Sequence, residues 1–94
     1  MATYLMFGSY SPDSMKAVSA ERTDKAIALI KKHGGELKSG YALLGEHDLV
    51  LIVDFPDTGQ VIKASVALTK LLGILFSTSP AVTVADFDKM MKEV

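Results

Sequence analysis

His47 and Asp48 place an imidazole beside a carboxylate, the pairing in this chain most capable of chemistry. A histidine near a carboxylate can serve as a general base or as one metal ligand, because its charge changes near neutral pH. Neighbouring side chains in an extended strand point to opposite faces, so these two converge only in a tight turn. Metal sites usually need three or four ligands, and the other histidine, His33, falls at a helix end. No metal site is therefore expected. The structural alternative is that Asp48 accepts from hairpin amides while His47 sits partly exposed.

Tyr4, Tyr10 and Tyr41 complete the candidate ligand-binding set, and Ser39, Ser77, Thr78 and Ser79 add hydroxyls to otherwise apolar runs. Mostly apolar walls with a few orienting polar groups suit a small-molecule pocket, although tyrosine and threonine are also ordinary strand residues. Ser9, Ser11, Ser19 and Ser77 lack an identifiable histidine and carboxylate set, so no nucleophile is assigned. Gly34-Gly35 closes a helix instead of opening one, which excludes a phosphate loop. Met6, Met15, Met90 and Met91 read as core or interface filler, and no cofactor is called for.

The elements that must carry these residues follow from local pattern. Residues 3–10 (TYLMFGSY) read as a first strand, with Ser11 as N-cap and Pro12 opening a helix. Met15, Val18, Ala26, Ile27, Leu29 and Ile30 recur near a 3.6 period, with a break near Ser19 and a stop at Gly34-Gly35 after Lys31, Lys32 and His33. Residues 36–44 and 49–55 form a hairpin around Gly45-Glu46-His47-Asp48. The second of these runs is apolar on both faces, which implies cover on both. Asp57 with Gln60 has capping-box spacing before a helix whose stripe is Val61, Ala64, Ser65, Leu68, Leu71 and Leu72. Gly73 ends that helix, residues 74–82 form the last strand, and residues 84–93 a short terminal helix with Phe87, Met90 and Met91 on one side.

The predicted architecture is thus a single α+β domain over residues 1–94: a ferredoxin-like βαββαβ unit with a four-stranded antiparallel sheet, both long helices on one face, and a short C-terminal helix. Two helices shelter one face only. The other face has no cover within the chain beyond what the terminal helix can offer, so a homo-oligomer joined through the open sheet face is expected, with burial worth about 25 cal/mol per Å².

Composition points the same way. Hydrophobic residues make up 49% of the chain and mean hydropathy is +0.28, yet a domain this small buries only about two thirds of its unfolded surface. Ten basic and eleven acidic residues give a net charge of −1. The nearest thing to basic patches, Lys31 with Lys32 and Lys63 with Lys70, are solvated helix faces, so no nucleic-acid partner is expected. Leu71 to Ala85, the longest uncharged stretch, is too short and too polar to span a membrane. Met1 to Tyr10 lacks the basic start of a signal peptide. The absence of cysteine fits a reducing compartment, and the cytoplasm is the expected location.

From Tyr4-Leu5 through Gly34-Gly35, Gly45 to Asp48 and Pro80 to Phe87, the whole chain resembles the GYD domain family, small proteins of bacterial type named for a Gly-Tyr-Asp signature. In that family a glycine, a variable residue and then Tyr-Asp open the third strand; here Gly45, Glu46, His47 and Asp48 stand there, with histidine replacing tyrosine. The resemblance implies a ferredoxin-like fold akin to the dimeric α+β barrel proteins, and no general activity. Two functions are weighed: a non-catalytic oligomeric module that binds a small ligand or a protein, and a cofactor-independent enzyme of the dimeric α+β barrel type, monooxygenase-like or isomerase-like, using His47, Asp48 or Tyr41.

Overall fold

The computed structural model describes residues 1–94. Along the chain run β1 (Ala2–Tyr10), α1 (Pro12–Lys16), α2 (Ala20–Lys32), β2 (Glu36–Ala42), β3 (Leu49–Phe55), α3 (Thr58–Leu72), β4 (Ile74–Ala81) and α4 (Val84–Met91). Each helix starts on a side-chain cap that satisfies an amide left without a helical partner. Ser11 accepts from the Ser14 amide at 3.1 Å, Ser19 from Arg22 at 3.3 Å, Asp57 from Gln60 at 2.8 Å and Thr83 from Asp86 at 3.1 Å. The break near Ser19 is present and separates α1 from α2. Gly34 and Gly73 end α2 and α3 with φ of 80° and 70°, the left-handed region open to glycine at no side-chain cost.

The four strands form one antiparallel sheet in the order β2-β3-β1-β4, the ferredoxin-like arrangement expected. Beyond shifts of one or two residues at the ends of β1, β4 and α4, two details differ from the sequence reading. β2 stops at Ala42 instead of Leu44, because the Leu43 amide donates to the Asp48 carbonyl at 2.8 Å and the chain turns there, leaving the Leu44 side chain in solvent. In α3 the stripe buries Val61, Ala64, Leu68 and Leu72, whereas Leu71 at its margin stays 51% exposed.

Alternation along the strands sorts side chains to two sides. Tyr4 and Met6 of β1, Leu51, Val53 and Phe55 of β3 and Ile74 of β4 pack with Ile30 of α2 and Val61, Ala64, Leu68 and Leu72 of α3 to make the core. Phe55, Met6, Ile30, Leu68 and Val53 are wholly buried, each worth about 1.5–3 kcal/mol relative to exposure. The Tyr4 hydroxyl shares a 3.1 Å hydrogen bond with Thr58 Oγ1, tying the start of α3 to the first strand.

The other side of the sheet has no such cover. Register places Leu5 between Ile52 and Ser79, and Phe7 between Val50 and Ser77, with Tyr41 of β2 opposite Val50. α4 does not cover these residues: none of its side chains is buried and it makes no substantial contact with any strand or helix. The molecule consequently exposes 6229 Å², against about 5,300 Å² for a compact monomer of its mass. Its radius of gyration of 14.2 Å likewise exceeds the roughly 12 Å of a compact chain of this length.

Gly35 shows how closely the core is fitted where α2 hands over to β2. A Cβ there would lie 2.5 to 2.8 Å from three ring atoms of Phe55, and that ring is wholly buried and has nowhere to move. Gly35→Ala is therefore expected to lower stability by about 1–3 kcal/mol through overpacking, read as a shift of the urea midpoint at unchanged m-value.

Candidate functional site

The five candidate residues do not gather in one place. Tyr4 lies in the core, 4% exposed and committed to Thr58. Tyr41 stands on the uncovered face, 58% exposed. Asp48 is a structural clamp: its amide donates to the Gly8 carbonyl at 2.9 Å and its Oδ2 accepts from the Tyr10 amide at 2.9 Å. Its partners therefore belong to the neighbouring strand β1, beyond the hairpin whose amides it was expected to serve. The effect is to extend the β1–β3 ladder past its last paired residues, Gly8 and Leu49.

His47, one residue earlier, goes the other way. Its ring lies 5.1 Å from that of Phe7 at a tilt of 38°, on the uncovered side of the sheet, the offset geometry aromatic rings favour. Its Nδ1 is buried without a hydrogen-bond partner. His47 and Asp48, both in the turn that precedes β3, thus share no site. On this same face a polar row crosses the far end of the sheet. Thr3 donates to Asp54 at 2.7 Å, and Lys38 reaches both Glu36 and Asp54 at 3.9 Å.

Of the five, Tyr10 lines the main apolar pocket. Beneath α2, on the helix side of the sheet, lies a half-enclosed pocket of about 100 Å³ whose walls include Leu37, Leu49, Leu51, Ile74, Phe76 and Tyr10 from the strands and Val18, Ala26 and Ile30 from the α1–α2 region. Eleven of its fourteen lining residues are hydrophobic. The only charged one is Arg22, which also lines a more open, more polar cleft of about 410 Å³ together with Ser14, Lys25 and Leu72. Arg22 therefore stands where an apolar pocket meets a polar entrance.

The sequence reading did not single out Arg22, although it is the one arginine in the chain and follows the Ser19 cap by three residues. Its Nη1 donates to the Ser14 carbonyl at 2.6 Å, and its Nη2 to Ser14 Oγ at 2.8 Å and the Leu72 carbonyl at 2.6 Å. Ser14, itself buried, donates to the same Leu72 carbonyl at 2.6 Å. Leu72 ends α3, so this guanidinium supplies donors to a carbonyl end that has no helical partners and carries partial negative charge. All three partners are uncharged oxygens; the chain's ion pairs are made by lysines. The half-buried guanidinium thus has no carboxylate counter-ion and two of its five N–H donors uncommitted.

Comparison with known proteins adds the following. The GYD domain family model matches residues 4–91. Among solved structures, the leucine response regulatory protein LrpA of Mycobacterium tuberculosis is similar at a TM-score of 0.58 and 12% identity, with 87% of this chain and 51% of that one covered. A mutant of Rv3291c is similar at a TM-score of 0.58 and 12% identity, over 88% of this chain and 51% of the other. The chain thus spans about half the length of these structures, and likeness at such identity shows the fold alone. No curated protein matches the sequence, and no helix is long and apolar enough to cross a membrane.

Removing the Asp48 carboxylate should cost stability and leave the Phe7–His47 pair in place. Asp48→Ala is expected to lower unfolding free energy by about 1–3 kcal/mol, since the Tyr10 amide loses a charged acceptor, while His47→Ala changes it by less. Parallel chemical denaturation of the two variants checks the order; equal losses would contradict the clamp.

Proposed function

We propose that this chain, which belongs to the GYD domain family, is a self-associating module that binds a small apolar molecule bearing an acidic group. The observation that carries this reading is the pocket beneath α2, mostly apolar, with Ser19 and Thr23 its only other polar lining residues beside a guanidinium that has no counter-ion. Apolar walls give affinity in proportion to the surface they remove from water, and a single placed charge orients the ligand. Arginine suits a carboxylate because its planar donors can meet both oxygens. The acyl or aromatic body of such a ligand would lie toward Tyr10, Leu49 and Phe76, its carboxylate toward Arg22 and the polar cleft that also holds Lys25.

Self-association through the uncovered sheet face is the second half of the reading. Leu5, Phe7, Val50 and Ile52 share that face with the more exposed Tyr41 and Leu75, and the surplus surface of roughly 900 Å² is close to the ~800 Å² each partner contributes to a standard interface. The similarity to LrpA, a leucine response regulatory protein by its description, is compatible with a ligand-responsive module and rests on fold alone.

A cofactor-independent enzyme is the second reading, favoured by one feature: the His47 Nδ1 is buried beside Phe7 without a partner, a nitrogen that a substrate or a second chain would reach only on movement of the turn. Once an activity is in hand, its survival in His47→Ala would remove this reading.

Titration of the full chain with hexanoate, followed by amide NMR, tests the first. Shifts should cluster on Tyr10, Ala26, Leu49 and Phe76, and hexanol should bind at least tenfold more weakly, the equivalent of about 1.4 kcal/mol for the lost charge contact. Shifts absent at millimolar hexanoate, or equal for the alcohol, would count against it.

A further inference from the structure

We infer that α4 is a docking arm for a second copy of this chain, its apolar side lying on the partner's uncovered sheet face while the partner's α4 does the same in return. This deepens the self-association reading and rests on it.

Local signals specify α4 well: Thr83 caps it, Asp86 lies in its first turn and Lys89 in its last. A helix of eight residues is nonetheless marginal in water, because nucleation costs more than so few hydrogen bonds return, and such helices are held by packing. Its own chain supplies little of that packing, since none of its side chains is buried. Val84, Phe87, Met90 and Met91 fall on one side of the helix and are 75%, 49%, 50% and 42% exposed. Of the remaining positions, Asp86 and Asp88 flank that stripe while Ala85 and Lys89 lie opposite it, and all of them are exposed to water. An apolar stripe without a groove and an uncovered sheet face with Leu5, Phe7, Val50 and Ile52 at its centre occur on the same molecule, and a two-fold pair satisfies both at once.

Geometry favours exchange between copies over folding back. α4 leaves the end of the edge strand β4, where Ala81 lies opposite Thr3, and the face next to that end is the polar row of Thr3, Asp54, Lys38 and Glu36. The chain's greatest extent, 48 Å, exceeds the roughly 30 Å of its nine-residue first strand, as projections beyond the sheet require. If two sheets face each other with strands running oppositely, the arm of one copy reaches the opposite end of its partner's face. There Leu75 is 68% exposed, across from Ser9 in the register.

Two measurements on the full chain test this. The chain contains no cysteine, so Ser77→Cys and Met90→Cys each introduce a single thiol; mixed and oxidised, the two variants should form a disulfide heterodimer, which can only join two copies. Phe87→Glu, at a site already half exposed and so harmless to the fold, should raise the dimer dissociation constant at least tenfold by analytical ultracentrifugation. A dimer that gives no mixed disulfide and is unmoved by Phe87→Glu overturns the arm and leaves sheet-to-sheet association standing. A full chain that is monomeric at micromolar concentration overturns both. A monomer whose α4 instead binds vesicles of phosphatidylglycerol and phosphatidylcholine overturns the arm too, and assigns the helix to a lipid surface.

Discussion

A four-stranded sheet whose central strand β3 is apolar on both faces, with helices enough for one, sets the terms for the rest of this molecule. On the helix side the usual solution is reached: eleven buried residues from three strands and two helices form the core. On the other side strand alternation offers no relief, because β3 alternates one apolar set, Leu49, Leu51, Val53 and Phe55, with another in Val50 and Ile52. Val50 on that side is 9% exposed and lies outside the core cluster. Sheets solvated on one face are normally polar on that face; here the charged groups are gathered at one end, at Asp54, Lys38 and Glu36 beside Thr3, and the small hydroxyls of Ser9, Ser39, Ser77 and Ser79 alternate with the apolar side chains elsewhere.

The helix side has its own asymmetry. Around Phe55 the fit is close enough that Gly35 has no room for a methyl group, yet toward Tyr10, Leu49 and Phe76 the layers part and leave a pocket. The divergence falls beside the α1–α2 break, where the five-residue α1 and the start of α2 are held to α3 by polar contacts. Ser14 and Arg22 converge on the Leu72 carbonyl, so the junction is fixed at its rim while the interior beneath Val18 stays open. Anchoring by charge-assisted hydrogen bonds lets the helix pair keep its place without filling the space below it.

Asp48 and His47 illustrate how one turn serves two sides of a sheet. The carboxylate turns toward Tyr10 and lengthens the central ladder, while the imidazole lies against Phe7 on the uncovered face. Adjacent residues divided in this way cannot act on one substrate atom, which separates the structural part of the turn from any chemical part.

Much of the fold was legible in the sequence because its signals are local. Ser11-Pro12, Ser19, Asp57 and Thr83 each announce a helix through a cap that acts within three residues, and Gly34 and Gly73 end helices by their own backbone freedom. The two-sided apolar pattern of β3 likewise belongs to the sequence, and with it the need for cover beyond two helices. Tertiary structure alone decided where the candidates went: Tyr4 into the core, Tyr10 to a pocket, Tyr41 to the open face, Asp48 and His47 apart. It also brought Arg22 within reach of Leu72, fifty residues along the chain, and left α4 unsupported. Such pairings depend on how packed layers meet across long sequence separations, a geometry that no local periodicity encodes.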